Sequence, residues 1–144
     1  MPRFSDTTFA DASIEKAWDT LQDPGVWGAL LGAAEISDIA VEDGLLQSSG
    51  WMAKIGGTEL SGTMHVAESE PGERMLMRIQ AEEWRGKIEV TIAAEDDGRT
   101  RVHARLKLEA DGFTAMLALP IVSAVIGRHL PDRMAELAEF IESA

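Results

Sequence analysis

The segment Thr100 to Glu109 constrains the fold most. Thr100, Val102, Ala104, Leu106 and Leu108 alternate strictly with Arg101, His103, Arg105, Lys107 and Glu109. Alternation with a period of two describes a strand with one dry face and one wet face. A dry sheet face has to be covered by another layer. The same period recurs upstream. Leu60, Met64 and Val66 oppose Ser61, Thr63 and His65 within Thr58 to Glu68. Met75, Met77 and Ile79 oppose Arg74, Arg78 and Gln80 within Arg74 to Ala81. Ile88, Val90 and Ile92 oppose Lys87, Glu89 and Thr91 within Gly86 to Ala94. Turn signals at Glu42-Asp43-Gly44, Gly56-Gly57, Pro71-Gly72 and Asp96-Asp97-Gly98 separate these runs and predict antiparallel hairpins. Arg3 to Ala10, Glu35 to Val41 and Leu45 to Ile55 read as further strands, the last with Gly50 as a bulge that could shift its phase.

Helical signals lie between the first two strands and at the end of the chain. Ser13 is placed to cap a helix whose Ile14, Ala17, Trp18 and Leu21 share one face. Asp23 caps a second short helix with Pro24 at its first position, Trp27, Leu30 and Leu31 as its apolar residues, and Gly32 at its end. Phe113 to Ala144 reads as helix. Its first half is apolar on nearly every side; its second half is amphipathic, with Met134, Leu137, Ala138 and Ile141 on one face. Pro120 and Pro131 are expected to kink or divide it. The expected order is strand, two helices, six strands, long helix.

Composition narrows the setting. At 144 residues the chain suits one domain, 1–144, and 45% hydrophobic residues suffice for a core. Cysteine is absent, which excludes disulfides, thiolate zinc sites and thiol nucleophiles. A formal charge of −12, from 25 acidic and 13 basic residues, disfavours nucleic acid and anionic lipid as partners. The start, Met1-Pro2-Arg3-Phe4-Ser5-Asp6, has no apolar signal core. The longest uncharged stretch, Gly112 to Gly127, falls short of the roughly 20 residues a spanning helix needs, so stable membrane insertion is not expected. A cytoplasmic location is.

The order of elements, together with local text, resembles the SRPBCC superfamily, also called START-like or helix-grip. Phe9 to Pro24 (FADASIEKAWDTLQDP) is similar to the superfamily's opening strand, capped helix and Asp-Pro break. Leu30-Leu31-Gly32-Ala33-Ala34-Glu35-Ile36 and Ile55 to Gly62 are similar to elements of the superfamily's carbon monoxide dehydrogenase accessory branch. Gly98-Arg99-Thr100-Arg101-Val102 resembles the superfamily's last hairpin. The resemblance implies an α+β helix-grip: a seven-stranded curved antiparallel sheet around a long C-terminal helix, two short helices between strands 1 and 2, and a cavity between sheet and helix. Polyketide cyclases and dehydrases are among the branches it brings in. It implies no particular reaction.

The expected cavity lining is Trp27, Leu30, Trp51, Met64, Met75, Met77, Trp84, Val90, Ala104, Met116, Pro120 and Ile121. Trp27 and Trp84 could gate a cavity mouth or simply close the core edge. Seven methionines offer an adaptable apolar surface. Catalytic signals are weak. His65 and Asp38 are the least implausible acid or base, although the strand phase turns His65 outward. The adjacent Glu82 and Glu83 do not converge. No histidine pair has metal-ligand spacing, so no metal or other cofactor is expected. No G-x-S-x-G motif, phosphate loop or tyrosine is present.

Three functions remain open. The first is a carrier that sequesters a small hydrophobic or amphipathic molecule, such as a lipid, an isoprenoid or an aromatic polyketide. The second is a cyclase- or dehydratase-type enzyme that works by positioning its substrate. The third is an accessory protein acting through protein contacts. The apolar stretch Phe113 to Ile126 could be a buried lid, a homodimer face or a membrane contact.

Overall fold

The computed structural model describes residues 2–144. The elements run β1 (Arg3–Ala10), α1 (Ile14–Thr20), α2 (Pro24–Leu31), β2 (Ala33–Glu42), β3 (Leu45–Ile55), β4 (Thr58–Glu70), β5 (Arg74–Ala81), β6 (Trp84–Ala94), β7 (Thr100–Ala110) and α3 (Phe113–Ser143). One seven-stranded sheet has the order β1-β7-β6-β5-β4-β3-β2, with every neighbouring pair antiparallel. The chain meanders from β2 to β7, and β1 then closes against β7. This is the helix-grip α+β architecture.

The capping chemistry works as the residue types suggest. Ser13 accepts the Lys16 N–H, and Asp23 accepts the Gly25 N–H at 2.8 Å. Gly32 ends α2 in the left-handed region, with φ 78°. A Cβ there would meet the Arg133 guanidinium, whose Nη1 donates to the Leu30 carbonyl at 3.3 Å. The contact places a cation at the negative end of α2 and ties α2 to α3. Burial lowers the Arg133 pKa from its ordinary value.

Three elements differ from expectation. The break before β6 is only Glu82-Glu83; Trp84 and Arg85 already belong to the strand and pair with Ala81 and Gln80. Gly50 does not invert the phase of β3, because its pairing with β4 is continuous from Ser48 to Ile55. The irregularity falls instead on β2, where the register shifts between Ser37 and Ala40 around Asp38, which has φ 48°. Finally, of the two outcomes expected at the prolines, division does not occur: α3 is one helix of 31 residues that contains both. Each proline costs a backbone hydrogen bond, about 3 kcal/mol in a free helix, and the packing of α3 on the sheet offsets it.

The start of α3 has a cap from outside the helix. Gly112 offers no side chain, and a Cβ there would collide with Glu83. The Glu83 carboxylate accepts the Thr114 N–H at 3.2 Å, and the Glu83 carbonyl accepts the Asp111 N–H at 2.6 Å. Glu83 sits at φ 60° in the β5–β6 turn, so the second residue of the acidic pair is a helix cap.

Candidate functional site

The strand register decides which side chains face α3. Across the sheet, Trp51 pairs with Gly62, Gly62 with Ala81, Ala81 with Trp84 and Trp84 with Ala110. One row over, Ser49, Met64, Ile79, Gly86 and Leu108 line up. Directly paired residues project to the same face. The inner face therefore carries Ser49, Trp51, Met64, Met77, Met75, Ile88, Val90, Ala104 and Leu106, which are buried.

Of the twelve residues expected to line the interior, nine are buried in one apolar cluster: Trp27, Leu30, Trp51, Met64, Met75, Met77, Trp84, Val90 and Ala104. Met134 of α3 joins the methionines there. Trp27 donates its indole N–H to the Leu21 carbonyl at 2.8 Å, so its ring closes the core beneath α1 and α2. Trp84 borders a cleft of about 200 Å³ between the β4 and β5–β6 edges and the first turns of α3.

Met116, Pro120 and Ile121 lie elsewhere. They are exposed on the far side of α3, because Ala115, Val122, Ile126 and Leu130 form the helix's inward stripe. Gly127 sets that rotation: it sits against the Phe4 ring, where a Cβ would meet the ring at 2.9 Å. The outward face consequently exposes Phe113 (76%), Met116 (63%), Leu117 (67%) and Ile121 (57%) beside the Gly56 turn. This is the reverse of the expected inward placement for Met116, Pro120 and Ile121.

The interior contains polar atoms that its apolar walls do not satisfy. Trp51 Nε1 and Ser49 Oγ, on residues 5% and 3% exposed, have no hydrogen-bond partner, and neither does the buried Ser123 Oγ on α3. Trp51 and Ser49 are two residues apart on one strand face. Buried indole N–H groups ordinarily find an acceptor. Asp6 shares the inner face of β1 with Phe4, Thr8 and Ala10 and is half-buried. The period-two rule applied to β1 and β3 locates both Asp6 and Ser49 on the inner face.

His65 and Asp38 both border a groove of about 640 Å³ with Ser37, Ser48, Ser61 and Thr63, and Ser49, Trp51 and Met64 border it as well. The fold brings these two together, but no ion pair or hydrogen bond links them. Among the described residues, no three His, Asp or Glu side chains converge as a metal site.

The comparisons with known proteins agree with this geometry. The chain superposes on a protein of Thermus thermophilus with a TM-score of 0.77 at 17% identity, covering 99% of this chain and 98% of that one. The Zhui aromatase/cyclase from Streptomyces sp. R1128 gives 0.76 at 14% identity over 97% and 93%. A START superfamily protein from Mycobacterium smegmatis gives 0.65 at 15% identity over 99% and 96%. Identities this low establish the shared fold and nothing finer. No curated protein matches the sequence. A family model matches residues 11–139, nearly the whole chain, and the protein belongs to that family, the Activator of Hsp90 ATPase homolog 1-like proteins of the SRPBCC superfamily.

Proposed function

We propose that this protein binds a small hydrophobic or amphipathic molecule between its sheet and α3, as a carrier or sequestering protein in the cytoplasm. One observation carries the reading: the buried, partnerless Trp51 indole N–H, on the same strand face as the partnerless Ser49 Oγ, in an interior otherwise walled by apolar side chains. A ligand oxygen placed at the indole would accept its N–H. The surrounding methionines Met64, Met75, Met77 and Met134, all essentially inaccessible to solvent, would adapt to its apolar body. The ligand class is therefore an apolar molecule with one carbonyl, carboxylate or hydroxyl oxygen, which suits a lipid, an isoprenoid or an aromatic polyketide. Acid–base chemistry has less support, because His65 and Asp38 lie on the other face; the half-buried Asp6 on the inner face of β1 is the carboxylate that speaks for it. The test is fluorescence titration with long-chain fatty acids, prenyl alcohols and aromatic ketones, reading quenching of the tryptophans. Saturable quenching of the remaining tryptophans with an apparent Kd that Trp51→Phe raises supports the reading; no quenching by any of the three classes contradicts it.

A second reading, an accessory protein acting through contacts or a homodimer formed along α3, is favoured by the exposed Phe113, Met116, Leu117 and Ile121. Sedimentation velocity separates the two: Ile121→Asp with Leu117→Asp abolishes association in the second reading and leaves ligand binding intact in the first.

A further inference from the structure

The outer face of the sheet, away from the interior, carries an arrangement that the carrier reading does not use. Following the register across five strands, His65 pairs with Arg78, Arg78 with Lys87, Lys87 with Lys107, and Lys107 with Arg3. Directly paired residues project to one face, so four permanent cations and a histidine form one continuous row. At about 4.8 Å per strand, the four cations span roughly 14 Å.

Three features set the row apart. The chain as a whole carries a charge of −12, yet four of its 13 basic residues stand side by side here. Among the described residues, none of the four forms an ion pair, whereas the flanking cations do: Arg74 with Glu68, Glu70 and Glu89, Arg85 with Asp111, and Arg105 with Glu89. Like charges directly opposite one another destabilise a sheet, and Lys87 faces a cation on both sides. The row is also concave to a ligand. Arg78, Lys87 and Lys107, joined by Arg85, Gln80 and His65, border a depression of about 370 Å³. A second depression, of about 500 Å³, lies on the row's other side at Arg3, Lys87, Arg105 and Lys107, with Glu89, which pairs with Arg74 and Arg105, as its one carboxylate.

We propose that this row is a binding site for a compact, multiply charged phosphate anion, such as an organic di- or triphosphate. Guanidinium groups match phosphate bidentately and the lysines add point charge. A long polyanion is disfavoured. It would overrun the short row onto flanking carboxylates such as Glu109, which borders the same depression, and Glu68, Glu70 and Asp111 beyond it. The site lies on the opposite face of the sheet from the interior, so it stands or falls independently of ligand carriage.

The experiment is calorimetric titration of the whole chain with inorganic tripolyphosphate at fixed ionic strength, using Lys87→Glu and, as a charge-matched control off the row, Lys54→Glu. Saturable binding that Lys87→Glu weakens by about tenfold or more, with Lys54→Glu close to the parent, is the expected result. Thermal melting should show Lys87→Glu folded and at least as stable as the parent, since the substitution removes two like-charge pairs. Co-sedimentation with vesicles containing phosphatidic acid identifies the source. Lys87-dependent pelleting assigns the phosphate to a lipid headgroup, and its absence alongside tripolyphosphate binding assigns it to a soluble ester. Equal losses in the two variants would reduce the effect to net charge and overturn the proposal. So would an absence of tripolyphosphate binding, or binding confined to a single-stranded oligonucleotide or to polyglutamate.

Discussion

Replacing Trp51 with phenylalanine separates a ligand-binding interior from an ordinary core. In the ligand-free protein the substitution has two opposing effects. Phenylalanine is smaller by roughly 40 Å³, and at about 24 cal/mol per Å³ the space left behind costs about 1 kcal/mol. The lost apolar contact costs about another 1 kcal/mol. Against this, the indole N–H is buried without an acceptor, and removing such a donor relieves about 1–3 kcal/mol. The net change in unfolding free energy should lie within about 1 kcal/mol of zero, far less than the cost of truncating a well-partnered core tryptophan. Ligand affinity, by contrast, loses one hydrogen bond, about tenfold. Urea denaturation of protein stripped of ligand measures the first quantity, and fluorescence titration the second. The reasoning is refuted if Trp51→Phe destabilises the stripped protein by about 3 kcal/mol or more while binding is unchanged, because the N–H would then already have a partner and the ring would be purely structural.

Other consequences follow from the same geometry. Glu83→Ala removes the carboxylate that caps α3 and should lower stability by about 0.5–2 kcal/mol in chemical denaturation; an unchanged midpoint would show that the cap contributes nothing. Gly32→Ala forces a Cβ into the left-handed region and against the Arg133 guanidinium, costing at least about 1 kcal/mol, whereas Gly44→Ala, with open space around it, pays only the backbone term. Asp97 is held below its ordinary 3.8, first by the Arg99 backbone N–H and then by the Arg99 side chain. A depressed carboxylate contributes stability above its unfolded pKa and loses it as pH falls through the folded value. NMR titration should therefore place its midpoint below 3.8, and Arg99→Ala should move it only partway back; full return would show that the side chain, not the backbone donor, dominates.

The sheet was legible in the sequence because period-two alternation is unambiguous when one face is charged. Met75, Met77, Val90 and Ala104 were placed inward on that basis, and they are buried there. The rotation of α3 was not, because its first half is apolar on nearly all sides and offers no polar face to orient it. The information did exist further along. Counting back by four from Met134 through Leu130, Ile126 and Val122 follows the inward stripe, and Gly127 marks the close approach to Phe4. Met116, Pro120 and Ile121 fall off that line. The cation row is a different case. His65, Arg78, Lys87 and Lys107 read as outward, but only the pairing register of five strands puts them side by side with one another and with Arg3. Likewise, nothing in the sequence marks Glu83 as a helix cap, because only the folded β5–β6 turn brings it to the start of α3.

Native mass spectrometry of freshly purified protein, followed by denaturing analysis of whatever is released, tests ligand carriage most directly. The expected result is a bound apolar species that carries at least one oxygen acceptor and whose occupancy falls in Trp51→Phe. A clean mass of the 144-residue chain, unchanged after incubation with fatty acids, prenyl alcohols and aromatic ketones, would contradict it.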